Sequence, residues 1–326
     1  MLYLGSSRIS PILEMGIRRK ISSGEFTMPT TSFVFSLPNE ITSIGAYSLA
    51  QAYYGCTAIT AVDLSHITSI SKANAMTSSF QNCTNMLTTD MSNLTTVSST
   101  NGMSSAFRGC TKLTDADLSS LTTISSSSGM AYIFNGCSKL TDVDFSNLTT
   151  VSGASGMAYA MQNCTSLKSV EFPSLTTLSG GSAMNQTFRG DTNLESVSFP
   201  ELTTIGSNTS AANSQHFSYA FNGCTKLTTL TFPKLQYIYC TGTVNTGTFG
   251  YNNTLQKIYL PKLTTITYGS GAAATNQVAC QNIFANCGAL TEIHFGEDNR
   301  AAIEATAGYS TAWGRGAGNV TIYFDL

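Results

Sequence analysis

The sequence predicts an α/β repeat solenoid with a parallel β-sheet on one face and short helical turns and loops on the other. Three observations lead there. Cys56, Cys83, Cys110, Cys137 and Cys164 stand 27 residues apart, and the same step reaches Asp191 inside an otherwise matching block. Upstream of each cysteine the apolar residues fall at i, i+3, i+4 and i+7, as in Met130, Ile133, Phe134 and Cys137, the spacing of one side of a helical turn. Downstream, Val143 and Phe145 alternate with Asp142 and Asp144, the period of two expected of a half-buried strand. A single coil cannot bury its apolar side alone, so neighbouring coils must stack.

Residues 1–32 stand outside the repeat. Apolar residues flank Gly5, Ser6 and Ser7, which predicts a short hairpin serving as a capping or attachment segment. The basic cluster Arg18, Arg19 and Lys20 is followed by no continuous apolar run, so no secretory signal is read in it. The solenoid is expected over 33–296 as nine or ten coils, its register continuing at Cys224, Asn252 and Cys287. Insertions enter at 206–216 and 267–279; rich in Ser, Asn, Ala and Gly, they are expected to project from one side, move and bind. Over 297–326 the repeat gives way to a C-terminal cap: Asp298 and Asn299 can cap a helix starting near Arg300, and Val320, Ile322 and Phe324 alternate as a last strand beside Trp313, the sole tryptophan.

The unit Leu194-Glu-Ser-Val-Ser-Phe-Pro-Glu-Leu-Thr-Thr-Ile205, with a following x-x-Phe-x-x-Cys, resembles the leucine-rich repeats of BspA-type bacterial surface proteins. The apolar, Pro and Cys positions agree in register over many coils, although that family's period is commonly shorter than 27. The extra residues fall in the loop around Ser125 to Gly129. The resemblance implies an extracellular or cell-surface protein with a role in adhesion or recognition. Residues 3–9, Tyr-Leu-Gly-Ser-Ser-Arg-Ile, also resemble the opening of many phage tail-associated proteins, which implies the alternative of a virion-attached host-recognition protein.

Charged residues make up 10% of the 326, and the net charge is −2. Such a surface lacks the basic field that nucleic acids or anionic membranes require, and no apolar run approaches the roughly 20 residues of a membrane-spanning helix. The expected partner is a protein or glycan on a cell surface, met by a monomer without cofactor. A phosphate-binding loop, His-Glu-x-x-His and Gly-x-Ser-x-Gly are all missing, so no catalytic residue is assigned. Nine cysteines without a Cys-x-x-Cys, and three histidines unrelated to them in spacing, give no metal site. They read as buried thiols, and Asp191 and Asn252 in the same register position are expected to hydrogen-bond backbone inside the coil.

Seven residues beyond each cysteine position lies the outward side of a strand. That row reads Asp63, Asp90, Asp117, Asp144, Glu171, Ser198, Thr231, Tyr259 and His294, with Asp115 and Asp142 two positions earlier in their strands. The acidic half is the candidate site for a cationic partner. Tyr259 and His294, at the far end, are candidates for stacking on a sugar or aromatic group.

Overall fold

The computed structural model describes residues 2–4, 7–9, 31–37, 39, 41–44, 49–207, 215–240, 248–268, 282–306, 309–315 and 319–326. The basic cluster at 18–20, and the cores of the two insertions at 208–214 and 269–281, lie outside the described residues, as does the expectation that those insertions move and bind.

Numbered in chain order, β1 (Leu2–Leu4) and β2 (Ser7–Ile9) form an antiparallel hairpin. The coils from β3 to β20 contribute two strands each; among the described residues the last two, at β21 and β22, contribute one each. The first set comprises β3 (Phe33–Ser36), β5 (Ile59–Asp63), β7 (Thr88–Asp90), β9 (Asp115–Asp117), β11 (Asp142–Asp144), β13 (Ser169–Glu171), β15 (Ser196–Ser198), β17 (Thr229–Thr231), β19 (Lys257–Leu260), β21 (Glu292–Phe295) and the terminal β22 (Thr321–Phe324). All their pairings are parallel, with Val143, Val170 and Val197 turned into the core and the flanking polar residues turned out. This first face is interrupted. Hydrogen bonding divides it into β3 to β11, the pair β13 and β15, and β17 to β22.

The second set comes from the Leu-Thr-Thr-Val segment, for which the sequence predicts no strand. That segment supplies β4 (Ser43–Ile44), β6 (Ser69–Ile70), β8 (Thr96–Val97), β10 (Thr123–Ile124), β12 (Thr150–Val151), β14 (Thr177–Leu178), β16 (Thr204–Ile205), β18 (Tyr237–Cys240) and β20 (Thr265–Tyr268). These join without a break into one nine-stranded parallel sheet among the described residues. In seven of these nine strands two residues carry too short an alternation to be seen in one repeat; the strand exists because a matching pair recurs in the coils beside it. Threonine adds a second tie. The hydroxyls of Thr95, Thr122, Thr149, Thr176 and Thr203 each donate to the carbonyl oxygen of the matching threonine one coil earlier, at 2.9–3.2 Å.

The return path, expected as a short helical turn, is a run of consecutive β-turns. In the coil ending at Cys137, the N–H groups of Gly129, Ala131, Ile133, Asn135 and Cys137 close turns onto the third residue before them. The alternate N–H groups of Ser128, Met130, Tyr132, Phe134 and Gly136 donate instead to the next coil. Every fourth residue is left-handed, with φ of 53° at Ser128, 58° at Tyr132 and 76° at Gly136. A four-residue turn unit turns Met130, Ile133, Phe134 and Cys137 inward just as a helix would, so the apolar spacing did not separate the two. Serine, asparagine and glycine, which disfavour helix interiors and in part tolerate left-handed backbone, were the discriminating signal.

The core lies between the two sheets and the turn array. Phe80, Phe107 and Phe134 stack at 5.6–5.9 Å from coil to coil, and Phe145, Phe172 and Phe199 form a second stack at 5.1 Å. Cysteine ties the coils together. The thiols of Cys83, Cys110, Cys137, Cys164, Cys224 and Cys287 are buried, and each donates to a main-chain oxygen of an earlier coil at 2.9–3.2 Å. Burial pushes the Cys137 thiol up to about 12, which keeps the S–H proton available for that bond. Asp191 accepts from the Cys164 N–H at 2.7 Å, and Asn252 accepts from Phe221 N–H while donating to the Phe217 and Phe249 oxygens. At the C-terminal end Trp313 is buried against Phe284, Phe295 and Tyr309. The helix α1 (Arg300–Glu304) starts where expected, but Asn299 makes no side-chain cap; its amide donates to the Pro261 oxygen instead.

Candidate functional site on the first sheet

Strand alternation positions the acidic row. Val62, Thr89, Ala116 and Val143 point into the core, so Asp63, Asp90, Asp117 and Asp144 point out. The parallel register pairs Asp63 with Asp90, Asp90 with Asp117 and Asp117 with Asp144. A second acidic pair, Asp115 beside Asp142, runs alongside. Adjacent strands lie about 4.8 Å apart, so neighbouring carboxylates repel by roughly 1 kcal/mol at water-like dielectric.

Each aspartate of the main row also has a local task that the sequence reading missed. The carboxylate of Asp63 accepts from the Ser65 N–H at 3.0 Å and its hydroxyl at 2.7 Å; Asp90, Asp117 and Asp144 accept from the N–H of Ser92, Ser119 and Ser146 at 2.8–3.0 Å. These Asx turns steer the chain off the strand toward the second sheet. For Asp63, burial raises the carboxyl pKa but the bonds from Ser65 outweigh it, leaving it below its usual value. Asp-x-Ser was the available signal. Where proline replaces that serine, at Pro173, Pro200, Pro233 and Pro261, no N–H exists to be accepted, and the row reads Glu171, Ser198, Thr231 and Tyr259 instead.

The acidic half ends at a cleft. Between β11 and β13 the first sheet has no ladder, and a space of about 250 Å³ opens there, lined by Asp142, Asp144, Ser169, Glu171 and Pro173 among others. Among the described residues no group of three His, Cys, Asp or Glu side chains could hold a metal ion.

The far end differs from the sequence expectation. His294 is buried, its ring sandwiched between Tyr259 at 4.4 Å and Tyr323 at 4.6 Å. Its Nδ1 faces Asp325 at 3.0 Å and its Nε2 faces Glu292 at 3.1 Å, and Glu292 also pairs with Lys257 at 2.9 Å. Both ring faces of His294 are therefore occupied from within the protein and offer no stacking surface to a sugar. Tyr323, aligned with His294 by the β21–β22 register, lies beyond the last cysteine-marked coil, which is why the sandwich was not legible.

A family profile described as BspA type Leucine rich repeat region matches six copies, over residues 19–153, 130–216 and 214–307. The chain belongs to the BspA type leucine-rich repeat family. No curated protein sequence is matched. Among solved structures, the chain is similar to a leucine-rich repeat protein of T. pallidum, at 20% identity over 60% of this chain and 78% of that one, with a TM-score of 0.36. It is similar to an internalin of Listeria monocytogenes at 13% identity over 96% of this chain and 88% of that one, with a TM-score of 0.29. In this BspA-type chain no described helix is long and apolar enough to cross a membrane.

Proposed function

We propose that this BspA-type solenoid is a non-catalytic recognition or adhesion protein acting at a bacterial surface, and that it holds a cationic protein segment against the acidic half of its first sheet. The observation that carries the proposal is the register of Asp63, Asp90, Asp117 and Asp144, extended by Asp115, Asp142 and Glu171 to the cleft beside β13. In each Asx turn one carboxylate oxygen accepts the serine N–H; the other supports an outward role as an acceptor for lysine or arginine. An extended basic segment lying along the row would relieve the carboxylate repulsion that the free protein carries. Membership of a family typical of protein interaction and adhesion supports the same reading.

The test is a peptide array of surface-protein fragments spanning a range of charge, probed with the purified chain. The proposal expects captured fragments to be rich in lysine and arginine and to be released by salt. Capture confined to neutral or acidic fragments would refute it.

A further inference from the structure

The outward face of the second sheet has a chemistry that the acidic row does not share. One rank runs Thr96, Thr123, Thr150, Thr177, Thr204, Tyr237 and Thr265; a parallel rank, two residues on, runs Ser98, Ser125, Ser152, Ser179, Gly206, Tyr239 and Thr267. Neither contains a charge. The neighbouring corner threonines spend their hydroxyls on main-chain oxygens. By contrast, among the described residues the hydroxyls of Thr96, Thr123, Thr150 and Thr177 have no hydrogen-bond partner. Each is free to donate and to accept, and they recur at the strand spacing of about 4.8 Å.

Two tyrosines interrupt this array side by side. The rings of Tyr237 and Tyr239 lie 6.1 Å apart and within 7° of parallel, and Tyr237 is 37% exposed. The coil before them places Gly206 next to Tyr239; a Cβ there would fall 2.3 Å from the Tyr239 main-chain oxygen. No side chain therefore stands beside Tyr239 on that flank.

From this we infer that the second sheet is a docking face for a neutral, unbranched polysaccharide, with Tyr237 and Tyr239 as the platform for its rings and the free threonine and serine hydroxyls as partners for its own. The chemistry fits one occupant class. An ion or nucleic acid finds no field here, and a protein interface requires a buried apolar core with aromatic or arginine anchors, whereas this face offers hydroxyls over five coils before its two tyrosines. A polymer repeating hydroxyl-bearing rings matches an array that repeats hydroxyls at fixed spacing. Tyrosine supplies flat, rigid contact area with a polar edge.

The experiment is affinity electrophoresis of the full chain in native gels cast with hydroxyethyl cellulose, glucomannan or soluble amylose, with polygalacturonate as the charged control. At least one neutral polymer should retard the protein, with retardation unchanged by added salt. Tyr237→Ala, and separately the pair Thr150→Lys with Thr177→Lys, should weaken that retardation by about tenfold while the thermal midpoint stays near that of the parent. The two variants alter different parts of the face, so a folding defect in one leaves the other to decide. Retardation by none of the three polymers overturns the inference, as does retardation that survives both variants. Loss on Asp-to-Asn replacement of Asp63, Asp90, Asp117 and Asp144 instead would move glycan binding to the first sheet. Because that face is separate, failure here leaves the cationic-partner proposal standing.

Discussion

The two sheets are built by the same coils at the same spacing, yet one is broken twice and the other runs unbroken. The difference lies in what the outward residues do to their neighbours. On the second sheet, corner threonines bond from coil to coil, so each strand reinforces the next. On the first sheet such ties stop at the first break: Thr60, Thr114 and Thr141 donate to the coil before them, but Lys168 stands at the next such position, whereas the facing aspartates lie within the unbroken part of the ladder. The first break falls where Asp144 would face Glu171 and where the serine turn of Ser146 gives way to Pro173. The second, between β15 and β17, follows the first lengthened coil, where the interval from Asp191 to Cys224 grows to 33. Backbone regularity here follows side-chain regularity, and the unbroken sheet holds the solenoid together across both interruptions.

The largest expected contrast comes from proline at matched ladder positions. Thr122 donates both its N–H, at 2.9 Å, and its hydroxyl, at 3.0 Å, to the Thr95 oxygen. Thr122→Pro removes both and should cost about 3 kcal/mol in denaturant unfolding. Lys168 stands at the first break, where among the described residues its N–H has no ladder partner, whereas the equivalent Thr141 N–H donates to Thr114 at 2.9 Å. Lys168→Pro should cost less than about 1 kcal/mol. Equal losses at the two sites would remove the link between side-chain ties and continuity.

A smaller contrast concerns the core behind the short β13–β15 pair. Asp191 stands where other coils bury a thiol; burial raises its carboxyl pKa well above the usual range, against the bond from the Cys164 N–H. A raised folded pKa means that the folded protein binds the extra proton, so this contribution is most favourable below about pH 4 and is lost as pH rises through the folded pKa. Asp191→Cys should therefore stabilise the protein at neutral pH by about 1–3 kcal/mol. His216 works in the opposite direction. Burial lowers its pKa to about 4 from 6.5, so the unfolded chain binds more protons between those values, and stability falls as pH drops from 6.5 toward 4, by up to about 3 kcal/mol. Thermal unfolding of His216→Gln across that window should show a flatter profile than the parent.

The smallest expected effect separates the structural role of the acidic row from its outward one. Asp117→Ala deletes the acceptor for the Ser119 N–H and should cost about 0.5–1 kcal/mol in chemical unfolding. Asp117→Asn keeps an acceptor oxygen and removes a repelling charge, so its unfolding midpoint should match or exceed the parent's. An Asn variant as unstable as the Ala variant would show that the charge, not the turn, is what the fold uses.

The cysteine register made the solenoid and its acidic row legible, because both depend on residues that recur at one spacing. Three features were not. The turn array shares its inward spacing with a helix, the two-residue strands of the second sheet exist only through their neighbours, and the sandwich around His294 draws Tyr323 from beyond the last cysteine-marked coil. The Asx turns were written openly as Asp63-Leu64-Ser65 and its three counterparts. They were obscured because an outward aspartate in a row reads first as charge and only second as an acceptor for its own backbone.

The claim that the acidic half of the first sheet is a recognition face is tested most directly by titrating a captured lysine-rich fragment over a salt series. The parent chain should be compared with Asp63→Asn, Asp90→Asn, Asp117→Asn and Asp144→Asn combined. The account predicts that binding to the parent weakens steadily as salt rises, and that the combined variant, still folded, binds at least tenfold more weakly, about 1.4 kcal/mol, with that salt dependence gone. A variant that unfolds at higher temperature yet binds every fragment as the parent does would contradict it.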